Sequence, residues 1–221
     1  LNALGDVAGA VASHRRALAL RDTPQIGANL AHSLRALEAD GVVVPDADAL
    51  LLLALERRWA RPDDLARAVA RRMDAAGLRA DDLAGLARNR LLCALLVRAP
   101  VVGASLERLL IEARRNLLDA ALAGDLDPDS LDFACTLARQ CFINEYVFAC
   151  DHDEAARALA LRDEIAAALE RGEAVPPQHL AVVAAYVALG TIRGVERAPD
   201  RAWPVAVHAL LAQQVTEPLD D

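Results

Sequence analysis

The chain predicts an all-α fold of about ten helices, on three agreeing features of its sequence. Apolar residues recur at helical rather than alternating spacing through most of its length. Prolines, glycines and aspartate, serine or threonine caps cut it into segments of helical length. The β-branched run Val42-Val43-Val44 is followed by Pro45 and finds no second strand to pair with, so it reads as a packed connection. Short links between helices favour antiparallel neighbours, which makes stacked helix hairpins the expected arrangement and a right-handed α–α superhelix the expected form.

Taken in order, the first helix runs from Asp6 to Leu20, and the second starts at Thr23-Pro24 and continues to about Ala39, before Gly41. A third spans Asp46 to Trp59. Arg61-Pro62-Asp63-Asp64 then places proline and acids in the first turn of a fourth, where acids suit the helix dipole, and that helix ends near Gly77. Asp81-Asp82 opens a fifth that reaches Arg98 before Ala99-Pro100 stops it. Ser105 caps a sixth, ending at Gly124, whose Leu106, Leu109, Leu110, Ala113, Leu117 and Leu118 form a stripe of helical period. Asp127-Pro128 starts the seventh, and the run from Leu131 through Ala149 carries Phe133, Phe142, Tyr146 and Phe148, the expected centre of the second half. The eighth occupies Asp153 to Arg171, the ninth follows Pro176-Pro177 to Leu189, and the tenth runs from Trp203-Pro204 toward Val215. The domain reading is a set of helical repeats over 1–125, starting mid-repeat and degenerating later, followed by helical hairpins over 126–221.

Composition narrows function mainly by exclusion. A net charge of -8 opposes nonspecific nucleic-acid binding, which depends on cations displacing the counterions of phosphates. The pairs Arg71-Arg72 and Arg114-Arg115 are flanked by acids and read as solvated helix faces. No window approaches the roughly 18 apolar residues of a membrane span. No leader pattern is visible, and the cytoplasm is the expected compartment. Cys93, Cys135, Cys141 and Cys150 are irregularly spaced within apolar segments, as expected of reduced, buried thiols.

No nucleotide-binding glycine loop and no nucleophile elbow is present, so neither catalysis nor a cofactor is expected of this chain. Cys150-Asp151-His152-Asp153 is a poor metal motif, because zinc wants about four fixed nitrogen or sulfur ligands; a helix cap is the expectation, and no metal. Cys141 lacks any sequence signal for an activating base. Glu145, set among Phe142, Tyr146 and Phe148, is expected to be half-buried and to need a partner such as Arg139. Cys141, Glu145 and Tyr146 thus form a candidate pocket, with sensing of a small molecule or metal the alternative function.

Three segments carry a family resemblance. Leu4-Gly5-Asp6-Val7 through Leu34, with Ala10, Ala17 and Leu20 followed by Asn29-Leu30-Ala31, resembles the second helix of one tetratricopeptide repeat running into the first helix of the next, with Ala31 in place of the usual glycine. The run from Ala138 to Phe148 and the run Leu210-Leu211-Ala212-Gln213-Gln214-Val215-Thr216-Glu217-Pro218 look like the N-terminal half of bacterial proteins that join such repeats to a class I S-adenosylmethionine-dependent methyltransferase domain. The resemblance implies a non-catalytic scaffold that positions a protein or peptide partner for a catalytic domain lying beyond Asp221. It also implies a concave wall on which Asn29, His32 and Arg35 make polar contacts, and a packed His14–His32 pair. A self-assembly module, stacking through exposed repeat ends, is a further alternative.

Overall fold

A computed structural model describes residues 6–39, 43–198 and 202–216, and every described secondary element is helical. Leu4-Gly5, Val42 and Glu217-Pro218 lie outside the described residues. Among the described residues there are eleven α-helices: α1 (Val7–Leu20), α2 (Pro24–Leu34), α3 (Ala47–Glu56), α4 (Pro62–Ala76), α5 (Leu83–Arg88), α6 (Arg90–Leu96), α7 (Ala104–Ala123), α8 (Pro128–Ile143), α9 (His152–Glu170), α10 (Pro177–Val183) and α11 (Val205–Thr216). Among the described residues no helix is long and apolar enough to cross a membrane.

Local chemistry sets most boundaries where the sequence places them. Asp6, Thr23, Asp127 and Asp151 each accept a bond from the backbone N–H three residues on, satisfying one of the orphan donors of α1, α2, α8 and α9. Pro24, Pro62, Pro128 and Pro177 each occupy the first helical position, where a missing N–H costs nothing. Gly77 closes α4 at φ 62, a conformation that side-chain-bearing residues adopt only at a cost.

Four expectations are corrected. The fifth segment is two helices, broken at Asn89, whose side chain accepts from Leu92 N–H at 3.0 Å and so starts α6 afresh. Ser105 is not a cap but the second residue of α7. The seventh helix stops at Ile143 rather than Ala149, because Glu145 and Tyr146 both take left-handed backbone (φ 57 and 58) and Tyr146 N–H bonds back to Cys141 O at 2.8 Å. The ninth ends at Val183, and the chain continues through turns to a short 3-10 turn at Leu189–Thr191. Of the β-branched run, Val43 is exposed and Val44 buried.

The chain forms two compact units. The first comprises Leu1–Leu78 and Asn89–Leu106. Its α1 and α2 pair as a hairpin, α2 packs on α3, and α3 and α4 both pack on α6 around Leu30, Leu34, Leu51, Leu65, Leu92 and Leu95. The second unit comprises Arg79–Arg88 and Glu107–Asp221, so residue 125 falls inside it. Here α8 is central, touching α5, α10 and α11, with Phe133, Leu137 and Cys141 fully buried. Gln214 of α11 fastens that helix down: its side-chain NH2 donates to Ala138 O and Ala184 O, and its carbonyl accepts from Leu189 N–H at 3.1 Å. Three satisfied contacts of this kind are how a buried amide specifies one docking geometry.

Candidate functional sites

In the first unit, the surface of α2 is shaped by one close approach. A Cβ on Gly27 would lie 2.4 Å from the Trp59 indole, so glycine is required here for the ring to rest on the helix. The ring is brought there by the end of α3, where Arg58 takes left-handed backbone (φ 55) and Trp59 N–H caps Ala54 O at 3.1 Å. Arg58 is not glycine, so this turn stores backbone strain. Together Arg57, Arg58 and Trp59 form, with Asp22, Pro24, Gln25 and Ala28, a groove of about 570 Å³. Arg57 is ion-paired with Asp22 at 3.5 Å, while Arg58 is exposed and has no ion-pair partner among the described residues.

Asn29, His32 and Arg35 are all exposed, and they continue the groove along one helical stripe with Gln25 and Ala28. Gln25 Nε2 donates to Asn29 Oδ1 at 3.2 Å, and Arg35 faces Asp64 at 3.8 Å. His14 and His32 do not form the expected packed pair. His14 Nδ1 lies 3.2 Å from Ser33 Oγ, and His32 points to solvent, because position 33 rather than 32 faces α1.

In the second unit the expected buried acid is present, but it is Glu154 and not Glu145. Glu145 is exposed, and Arg139 donates its Nε to Gln213 Oε1 at 3.0 Å. The left-handed turn carries Glu145 outward. Glu154, fully buried in the first turn of α9, accepts from Arg114 Nε (3.0 Å), Tyr186 Oη (2.7 Å) and, at longer range, Arg115 Nη2 (3.4 Å). Arg114 also donates to Ala149 O at 2.7 Å and its guanidinium lies 4.7 Å from the centroid of the Tyr186 ring. Burial and the bond to Glu154 push the Tyr186 hydroxyl well above its ordinary range. Arg114 is therefore not a solvated residue. The missed signal is its register: it falls between Leu110 and Leu117 on the apolar stripe of α7.

This network floors a cavity of about 170 Å³. Arg114, Tyr146, Phe148, Cys150, Ala158 and Tyr186 are among its walls. Of the sequence-predicted pocket residues, only Tyr146 lines it. Its ring meets Phe142 edge to face at 6.4 Å, and its hydroxyl is buried without a hydrogen-bond partner. Cys141 is fully buried, and burial pushes its thiol up to about 12, so it is no nucleophile at neutral pH. The four thiols are free but not uniformly buried: Cys135 and Cys141 are buried, Cys93 is half-buried and Cys150 exposed. Asp151 caps α9, accepting from Glu154 N–H at 2.8 Å, and its carboxylate also receives Arg115 Nη2 at 2.8 Å. Among the described residues no group of three or more His, Cys, Asp or Glu side chains could hold a metal ion.

Comparison with known proteins finds no matching family model, no similar curated protein and no similar solved structure.

Proposed function

We propose that this chain is a non-catalytic helical interaction module that captures an acidic peptide segment of a protein partner on the α2 face of its first unit. The observation that carries this reading is the groove in which Arg58, held in strained left-handed backbone, stands beside Trp59 and the Gln25–Asn29 stripe. Tryptophan and arginine are enriched among the few residues that carry most of the energy of protein binding, and strained residues concentrate where function holds them. The resemblance to repeat-containing methyltransferases supplies the proposed setting, in which the captured segment is positioned for a catalytic domain elsewhere in a longer protein.

The test is titration of the chain with acidic, neutral and basic peptide pools, followed through Trp59 emission in a Trp203→Phe background. Acidic peptides are expected to bind saturably. Arg58→Gly, which removes the charge while relieving the backbone, and Asn29→Ala are each expected to weaken binding by about tenfold, or 1.4 kcal/mol, with melting unchanged or raised. Equal binding by these variants, or none by any acidic pool, refutes the reading. Methyl transfer by residues 1–221 supplied with S-adenosylmethionine would refute its non-catalytic part.

A further inference from the structure

We infer that the cavity of the second unit is a binding site for a small, uncharged, largely apolar molecule of the size of benzene or phenol. Volume sets the size: about 170 Å³ is close to that of an apolar engineered cavity, about 150 Å³, that holds benzene. The walls set the polarity. Phe148, Ala155, Ala158, Leu159, Ala185 and Val187 are apolar, and Tyr146 is a further aromatic lining residue.

Charge balance excludes an ionic ligand. Arg114 is 3% exposed, and its donors are engaged by Glu154 and Ala149 O, with its plane against Tyr186. Glu154 accepts from Arg114, Tyr186 and Arg115, and the charge of Arg115 is also paired with Asp151. Two cations therefore face two anions, leaving no uncompensated charge to attract an ion or to offset the dehydration of one. The scaffold is also set in advance. The Tyr146 wall depends on two consecutive left-handed residues that the sequence retains without glycine, which is backbone strain beside a cavity rather than at an arbitrary turn. Two of the lining residues, Cys150 and Leu159, are exposed. The site lies in the second unit and is independent of peptide capture by the first.

The experiment is titration of the full ¹⁵N-labelled chain with benzene, phenol, benzoate and benzylammonium. Benzene and phenol are expected to give saturable shifts at the amides of Tyr146, Ala158 and Tyr186, and the two ions none there. Ala155→Phe fills the space from α9 and is expected to weaken phenol binding by about tenfold or more. Leu159→Trp obstructs the rim from an exposed position, so it tests the same point should the first variant fail to fold. Binding of benzoate or benzylammonium as tight as that of phenol, wild-type affinity in either folded variant, or no saturable shift up to the solubility of benzene and phenol overturns the assignment.

Discussion

Glu154 shows how a single buried carboxylate organises its surroundings and how that organisation can be measured. It sits three residues after the cap Asp151, where a glutamate ordinarily reaches back to the cap N–H, yet it turns inward to Arg114 and Tyr186. Glu154→Gln leaves the Arg114 guanidinium buried without its counter-charge, and breaking a buried pair in this way costs about 3–5 kcal/mol. Urea unfolding of Glu154→Gln should show that loss. The double variant Arg114→Met/Glu154→Leu should recover most of it, since neither charge then needs solvation. Two losses that simply add in the cycle of Arg114→Met, Glu154→Leu and their double variant would show that the pair is not coupled. Tyr146 provides the opposite case. Its hydroxyl is buried and unpartnered, so Tyr146→Phe removes a desolvated group and no bond, and is expected to leave stability unchanged or raise it by up to about 1 kcal/mol. A loss above that by the same unfolding measurement would reveal a bond the hydroxyl makes in solution.

At the scale of elements, Gly27 decides the shape of the α2 face. On propensity alone Gly27→Ala should stabilise α2 by about 1 kcal/mol, whereas forcing a methyl into a packed contact costs about 1–3 kcal/mol. With the indole 2.4 Å from the added Cβ, the steric term is the larger. The expected outcome is a net loss of about 1 kcal/mol, on the difference of those two effects, and red-shifted Trp59 emission as the ring swings toward water. An unshifted spectrum with a higher melting temperature would mean that the ring does not rest there. Helix starts and class were legible in the sequence because caps and prolines act locally, as at Asp127-Pro128 and Asp151. Helix interruptions were less so. Asn89 breaks what periodicity reads as one helix, and the residues on either side of it belong to different units, a long-range fact that no local window contains. The site residues divide the same way. Exposure of Asn29, His32 and Arg35 follows from one helix's periodicity, but the inward turn of Glu154 depends on α7 and on Tyr186 in the turn after α10, thirty or more residues away.

Across the whole molecule, exposed cap carboxylates and buried thiols bound stability on the acid and the alkaline side of neutral pH. Asp127 and Asp151 lie below the ordinary carboxylate range, Asp127 through the Ser130 hydroxyl and N–H and Asp151 first through Glu154 N–H, so their caps hold at neutral pH and weaken as pH falls below about 4. The alkaline limb rests on thiols. Burial raises Cys135 and Cys141 from 9.0 to about 12, which means that the folded chain keeps both protons while the unfolded chain releases them. The stability these neutral thiols contribute is therefore intact below pH 9 and declines as pH rises toward 12. The decline is on the order of 1 kcal/mol per pH unit for each thiol within that window. Tyr146 and Tyr186, raised by burial, act in the same direction from about pH 10. Urea unfolding at pH 7, 8, 9 and 10.5 should accordingly show a flat region and then a fall. Cys135→Ala/Cys141→Ala leaves small voids and lowers stability at every pH, but it removes both titrating groups, so its curve should run flatter than the wild type between pH 9 and 10.5. Parallel curves over that interval would show that the two thiols do not titrate on unfolding as their burial requires.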